Sequence, residues 1–474
     1  MDFTTLSFLG FLIATAIACR LCPPRLRPSL ILLASYGFYC LYSIKLLLLM
    51  FASTAGAYFA ARAIDSKTAV PRRRAMIAAA IVSVVVMVLV VFKSEPIFPK
   101  AFHNLLLPLG ISYYTFKLIS YVMDVYWGKA SAERNFIPFA AYIAFFPQIV
   151  AGPIQRSEGF LAQMRQLSPP SFAMVLRGIQ RILLGFFKKF IVADNLAVLV
   201  NFIYGHVYVP GTPLILGFYA FPLQMYADFS GLTDIAVGAA CLLGIESPEN
   251  FDAPFTAVTP SEFWRRWHMS LTTWLTDYVF TPLRVVTRDL NKAGLVLSLF
   301  VNMILIGLWH GFTPAFVLFG ALHAVYLSVD ALTARTRRRF YKLHPLADSI
   351  TSRFGALVTF HLVAVAFVFF RGGNLGRIFH FLAHIFGGIA TPSTDFLAWV
   401  AVSGRPILVG AFAYLLIEVG DYFRRLNERM DIVRALPRWG RWSVYSCTAV
   451  ATLFMVLLLL SSGGAHNPFL YELF

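Results

Sequence analysis

The sequence predicts an all-α fold: a polytopic membrane bundle of roughly 11–13 helices, some of them re-entrant or interfacial. Three observations carry this. Apolar types make up 58% of the 474 residues and charged types only 13%, whereas a soluble domain carries about 25% charged residues. Apolar runs of spanning length, about 17–25 residues, recur from one end of the chain to the other. Basic residues gather at the ends of these runs, which is the pattern of cytoplasmic loops and lipid headgroup contact. The net charge of +17 therefore points to membrane lipid and not to nucleic acid.

The candidate spans, in order, are 3–19, 28–43, 45–61, 75–92, 104–126, 175–204, 211–247, 293–309, 313–332, 352–370, 406–421 and 443–461. The first follows Met1 and Asp2 without a basic stretch and precedes Arg20, Arg25 and Arg27. It reads as an anchor with its N-terminus outside, not as a cleaved leader. Residues 136–153 are apolar but interrupted by Phe146-Pro147-Gln148 and Gly152-Pro153, which suggests a re-entrant segment. Such backbone is tolerated at membrane depth only where protein or a wet cavity satisfies it. Lys188 and Lys189 place the first half of 175–204 at the interface, and the break at Asp228-Phe229-Ser230-Gly231 leaves 211–247 as one segment or two.

Residues 261–281 read as one amphipathic helix. Trp264, Trp267, Leu271, Trp274, Leu275 and Tyr278 recur at helical spacing and Arg266 faces away, as in a helix lying in the cytoplasmic interface. Residues 375–389 read as a second interfacial helix, on the outer side. No repeat or soluble domain interrupts the pattern, so residues 1–474 are expected to form a single membrane domain. With the N-terminus outside, the cytoplasmic stretches 20–27, 62–74, 127–174, 248–292, 333–351 and 422–442 hold 28 of the 40 Lys and Arg residues. This satisfies the positive-inside rule and puts the C-terminus outside as well.

The five cysteines, Cys19, Cys22, Cys40, Cys241 and Cys447, read mostly as small core residues. The Cys19-x-x-Cys22 pair lacks the βαβ context of a redox motif. No phosphate-binding glycine loop and no G-x-S-x-G elbow is present, which argues against ATP hydrolysis and a serine nucleophile.

Among ten histidines, His310 stands out. It lies in Gly307-Leu308-Trp309-His310-Gly311, between an uncharged run and one opening at Pro314, with Gly311 expected to free the turn. An imidazole near the membrane accepts a proton near neutral pH and suits general-base work on a hydroxyl; a loop histidine bonded to a neighbouring carbonyl is the plainer reading. His268 borders the tryptophan stripe, where interfacial anchoring is the simpler account. His323 lies within an apolar run and reads as a buried histidine satisfied by a neighbouring helix. No two of these three are spaced i, i+4, and no metal site is expected. Asp228, Asp234 and Asp124 are isolated acids among apolar residues. They suit a polar cavity, pairing with Lys117 or arginines, or, for Asp228 and Ser230, capping of a helix starting near 231.

Five ordered stretches then stand together: Pro108-Leu109-Gly110-Ile111-Ser112-Tyr113-Tyr114-Thr115-Phe116, Phe146-Pro147-Gln148-Ile149-Val150-Ala151-Gly152-Pro153-Ile154, Asp228-Phe229-Ser230-Gly231, Phe263-Trp264-Arg265-Arg266-Trp267-His268-Met269-Ser270-Leu271 and Gly307-Leu308-Trp309-His310-Gly311. The C-terminal Asn467-Pro468-Phe469-Leu470-Tyr471-Glu472-Leu473-Phe474 joins them. Together they resemble the membrane-bound O-acyltransferase (MBOAT) family, in particular its bacterial alginate O-acetyltransferase-like branch. The resemblance implies a helix bundle around a central tunnel in a bacterial inner membrane. It implies an acetyl group taken from a cytoplasmic thioester, acetyl-CoA as substrate with no bound cofactor, and passed toward an exported polysaccharide, with a periplasmic SGNH-type acetyltransferase as a possible partner.

The family's catalytic histidine matches His310 and a second motif histidine matches His268. On this reading Trp264 and Trp267 shape the donor entrance with His268 on the cytoplasmic side. Asp228, Ser230 and Asn302 line the polar path toward an outer funnel at His310, and Trp309 is a further substrate-binding candidate. One departure is visible: the family's His-Gly pair after the catalytic histidine reads His323-Ala324 here, which weakens any assignment near His323. D-alanyl transfer to teichoic acid from a carrier protein, a transporter built from broken helices and a non-catalytic scaffold are the competing readings.

Overall fold

The structure, a computed structural model, describes residues 3, 5–66, 70–93, 110–206, 211–371, 373–386, 394–430, 437, 439, 440 and 443. The expected span at 443–461 and the C-terminal motif lie outside these residues, apart from position 443. Among the described residues every regular element is helical, so the protein is all-α.

The first helices are α1 (Leu6–Leu21), α2 (Arg27–Cys40), α3 (Ile44–Ile64), α4 (Pro71–Lys93) and α5 (Ile111–Tyr126). The Thr5 hydroxyl accepts from the Phe8 N–H and starts α1, and Ser43 does the same for α3 through Leu46, each satisfying a donor that a helix start leaves open. Next come α6 (Phe136–Ala144), α7 (Ser157–Arg165), α8 (Phe172–Phe186), α9 (Asp194–Gly205) and α10 (Thr212–Leu242). Then follow α11 (Pro260–Arg266), α12 (Met269–Leu275), α13 (Thr281–Val286), α14 (Asn291–His310), α15 (Pro314–Leu343), α16 (Pro345–Arg371), α17 (Leu375–His384) and α18 (Thr394–Met430).

Six stretches are long and apolar enough to cross a membrane: Ile44–Ile64, Pro71–Lys93, Arg288–His310, Pro314–Leu343, Phe354–Arg371 and Ser403–Asp421. Each coincides with an expected span. The expected span 211–247 is one helix, α10, running unbroken through Asp228-Phe229-Ser230-Gly231. Asp228 and Ser230 are therefore interior helix residues and cap nothing.

The expected segment 175–204 resolves into α8, a π-helical stretch Phe187–Ala193 and α9. Lys188 and Lys189 sit on that stretch and are buried, not interfacial. The single amphipathic helix expected over 261–281 is also broken: α11 ends at Arg266, His268 adopts a left-handed φ of 43°, and α12 starts at Met269. Its tryptophans, Trp264, Trp267 and Trp274, are packed inside the protein and do not face lipid. Arg27, expected to flank the first span at the headgroups, is buried. It donates to the carbonyls of Cys19, Cys22 and Leu167, closing the C-terminal end of α1.

The helices group into two compact units. One comprises Met1–Ile182, Thr233–Asn250 and Ser270–Pro282. In it the interrupted segment after α6 passes through a 3-10 turn at Phe146–Gln148 that is completely buried. Protein groups satisfy this irregular backbone, as required away from water. Ser35 accepts from the Phe146 N–H, and the Thr233 hydroxyl donates to the Ala151 carbonyl. Gln148 donates to Gln155 and Ser247 and accepts from Lys117. Asp124 does not pair with Lys117 or an arginine; it accepts from the Tyr278 hydroxyl at 2.7 and 2.8 Å. Asp234 pairs with Arg181 at 2.9 Å.

The other unit comprises Leu183–Leu232, Phe251–Met269 and Leu283–Phe474. At its centre α14 and α15 form a tight hairpin. A Cβ on Gly307 would lie 2.1 Å from the Phe316 carbonyl oxygen, and one on Gly320 would lie 2.4 Å from that of Met303. Small residues let the two backbones touch, as in membrane helix pairs. All eight residues singled out as site candidates belong to this second unit.

Candidate active site

α14 ends on His310. Gly311 follows with an extended φ of 171°, a backbone any residue adopts, so its smallness serves another purpose. A Cβ there would press to 2.8 Å from the Phe316 ring. The Thr313 side chain then accepts from the Phe316 N–H and, with Pro314 in the first turn, starts α15. The hairpin thus fixes His310 at the mouth of a turn while keeping it 5% exposed. Its imidazole is enclosed by the rings of Trp309 at 4.6 Å, Phe370 at 4.7 Å, Phe316 at 5.9 Å and Phe319 at 6.0 Å, between centroids.

His268 reaches the same neighbourhood from the break between α11 and α12. Its ring lies 4.8 Å from Phe229 of α10 and 5.9 Å from Trp309. Burial pushes its imidazole pKa down to about 3, so it is held neutral. The two steps through Trp309, 5.9 Å and 4.6 Å, place the imidazoles of His268 and His310 no farther apart than their sum. That is far less than the roughly 30 Å hydrocarbon core. The expectation of one histidine near each membrane face is therefore corrected: the two belong to one buried cluster.

The cluster continues on the other side of His310. Phe319 leads to His323 at 4.8 Å, and the Trp264 indole N–H donates to His323 Nδ1 at 3.2 Å. His323 is thus the buried, helix-satisfied histidine that its position in an apolar run predicts. With Nδ1 accepting, its proton sits on Nε2, which has no hydrogen-bond partner among the described residues. Trp264 is an anchor for α15 and is buried, at 4% exposure. Trp267 is equally buried, stacked on Phe263 at 5.6 Å and against Phe251 and Phe367. The three histidines are separated by Trp309 and Phe319 and do not converge on a point. Among the described residues no group of three or more metal-ligating side chains is assembled.

Asp228 is tied up in an ion pair. Lys189 Nζ lies 2.8 Å from Asp228 Oδ1 and 3.1 Å from Asp194 Oδ1. The π-helical stretch brings this lysine onto the face of α10, where Gly231 leaves room for it: a Cβ there would meet Lys189 N at 3.2 Å and Gly185 O at 2.8 Å. Asp228 thus anchors α10, which carries Phe229 against His268. Ser230 and Asn302 differ from it. Ser230 Oγ and Asn302 Oδ1 are buried with no hydrogen-bond partner among the described residues, as is Gln224 Oε1. Unsatisfied buried polar atoms are uncommon and call for a water or ligand. Asn302 lies on the buried ridge of α14 that runs through Ser298 and Ile306 to His310.

The aromatic partners that shape this site carry no distinguishing mark in the sequence. Phe316, Phe319 and Phe370 are ordinary apolar residues in their runs. Lys189 carried a usable signal: a lysine inside an apolar segment needs a counter-ion, and Asp228 is the acid that supplies it.

Comparison with known proteins identifies the family. Residues 129–369 match the sequence model of the MBOAT, membrane-bound O-acyltransferase family, a range that holds every candidate residue. A probable alginate O-acetylase of Azotobacter vinelandii is 34% identical over 95% of each chain. Another, from Pseudomonas fluorescens, is 35% identical over 75% of this chain and 70% of its own. A teichoic acid D-alanyltransferase of Bacillus subtilis is 33% identical over 57% of this chain and 70% of its own. The chain therefore belongs to the membrane-bound O-acyltransferase family and is a multi-pass membrane acyltransferase.

Proposed function

We propose that this protein takes an acetyl group from cytoplasmic acetyl-CoA and passes it across the bacterial inner membrane for O-acetylation of an exported polysaccharide. One observation carries the reading. Three motifs far apart in the chain, at 228–231, 263–271 and 307–311, meet in one buried cluster through Phe229, His268, Trp309 and His310. The names of the Azotobacter and Pseudomonas relatives support an acetyl group and a polysaccharide acceptor.

In this mechanism His310 accepts the proton of the acceptor hydroxyl as its oxygen attacks the thioester carbonyl. The C–O bond forms, the C–S bond breaks, and the proton passes from His310 to the departing thiolate. His268, neutral and held by Phe229 and Trp309, positions the indole that packs on His310. Ser230 and Asn302 offer polar atoms to the incoming groups, and the aromatic wall excludes water that would otherwise hydrolyse the thioester. The basic stretches lie in the cytoplasm with both termini outside, and a periplasmic SGNH-type acetyltransferase completes transfer to the polymer.

The Bacillus relative favours a second reading, D-alanyl transfer to teichoic acid from a carrier protein. Purified protein given radiolabelled acetyl-CoA and an acceptor decides between them. Label transfer that stops in a folded His310→Ala variant is expected. Transfer at the normal rate by His310→Ala removes His310 as the base, and label moving only from a D-alanyl carrier selects the second reading.

A further inference from the structure

We propose that the groove between α15 and α16 is a binding site for an anionic glycerophospholipid, a site separate from the cluster around His310. A half-open cavity of about 510 Å³ lies here, walled by Tyr326, Val329, Phe354, Val358 and Leu362 and ending at Asp330 and Arg337. Its floor is tight, because Gly355 lets α16 rest on Val258: a Cβ at 355 would lie 2.4 Å from Val258 Cγ1. Its rim faces outward, with Val329, Phe354 and Val358 each more than half exposed. In a multi-pass membrane protein such apolar rims face acyl chains.

The polar end has the opposite character. Arg337 is held by buried Asp330, whose carboxylate also accepts from the Ser261 N–H at 3.1 Å. Both bonds from Arg337 to Asp330 use Nη2, so among the described residues Nε and Nη1 remain to receive an anion. Arg335, Arg338, Arg339 and Lys342 are exposed on the same last turns of α15. Between Asp330 and Asp348 the sequence holds five basic residues and no acid, so this end of α15 is itself strongly basic. A groove with apolar walls and a cationic mouth matches one molecule with an acyl chain and a phosphate. Basic residues at a membrane surface each contribute about 1 kcal/mol toward an anionic lipid. A free phosphate or sulfate would gain nothing from the apolar wall.

Native mass spectrometry of the full-length, delipidated protein titrated with phosphatidylglycerol or phosphatidylcholine tests this. Phosphatidylglycerol occupancy is expected to exceed that of phosphatidylcholine about fivefold. Filling the groove from its exposed rim with Val358→Trp should abolish the excess without lowering the melting temperature. The Arg338→Gln/Arg339→Gln variant should reduce it while leaving the Asp330–Arg337 pair intact. Equal binding of the two lipids overturns the proposal, as does a folded Val358→Trp protein that keeps the excess. Displacement of phosphatidylglycerol by acetyl-CoA, one for one, would assign the groove to the thioester and also overturn it.

Discussion

The α14–α15 hairpin sets the position of His310, and Gly320→Ala tests how finely. The added Cβ would sit 2.4 Å from the Met303 carbonyl oxygen and 3.0 Å from Ile304 Cα, where ordinary contact begins at 3.4 Å. Both obstacles are backbone, so no side chain can swing aside. The helices must part by about 1 Å, and α14 ends on His310 only seven residues beyond Met303. A misplacement of about 1 Å costs on the order of 100-fold in rate, about 2.7 kcal/mol on the barrier. The fold should survive: overpacking costs about 1–3 kcal/mol, partly offset by the better helix propensity of alanine, about 1 kcal/mol. The assay is initial-rate label transfer at saturating thioester, with a melting curve on the same preparation. The expected result is kcat down about 100-fold, a donor KM within a few-fold and a melting temperature lowered by several degrees. Gly10→Ala, where the Cβ meets nothing within 4 Å, should be silent. A folded Gly320→Ala protein with kcat within twofold of normal would show that hairpin spacing does not govern the reaction. Equal damage from Gly10→Ala would refute the steric argument itself.

The buried ion pair gives a second test. Lys189→Met leaves Asp228 charged at 2% side-chain exposure and should destabilise by about 3–5 kcal/mol, while Lys189→Met/Asp228→Leu should recover most of that loss. Thermal unfolding of the two singles and the double measures the coupling, and a Lys189→Met protein melting within a degree of wild type would refute it. The third concerns His268, whose folded pKa of about 3 lies below the unfolded value of about 6.5. Above pH 6.5 both states are neutral and the group contributes nothing to pH dependence. As pH falls through 6.5 the unfolded state takes up the proton first, so stability is lost with acidification until the folded group titrates. Melting temperatures at pH 7.5, 6.5 and 5.5 should therefore fall more steeply for wild type than for His268→Asn, a substitution that tolerates the left-handed backbone. Parallel slopes would show that His268 titrates alike in both states.

Fold class was legible because lipid imposes one solution on a long apolar chain. Backbone polar groups have no water to bond, so each apolar run becomes a helix. The runs at 45–61, 75–92, 293–309, 313–332, 352–370 and 406–421 all fall on helices of spanning character. The errors lie where charged or aromatic residues had two physical outlets. Lys188 and Lys189 are expected at the interface because a lone cation inside an apolar run is costly, and Arg27 at the headgroups because it flanks the first run. Protein partners supply the alternative, at Asp228 and Asp194 for Lys189 and at three carbonyls for Arg27. Tryptophan spacing over 261–281 fitted an interfacial helix equally well. The left-handed residue His268 breaks that helix and turns the indoles into the protein.

The site itself was half legible, and the divide has a physical cause. Sequence spacing reports neighbours along one helix; Asn302 and the roles of His310 and His268 come only with the family resemblance. Spacing does not report which rings from different helices meet, because that depends on how far the backbones approach. Gly307 and Gly320 bring α15 against α14, which carries Phe316 and Phe319 to His310. Gly231 admits Lys189 to α10, which holds Phe229 on His268. Asp228 was expected to line the path and is instead a tether, whereas Ser230 two residues later has a buried hydroxyl with no hydrogen-bond partner among the described residues. The same four-residue motif therefore combines an anchor with a candidate substrate contact. Mutating Asp228 should register first in stability, and mutating Ser230 in the rate, because only the first removes a charge that another buried charge depends on.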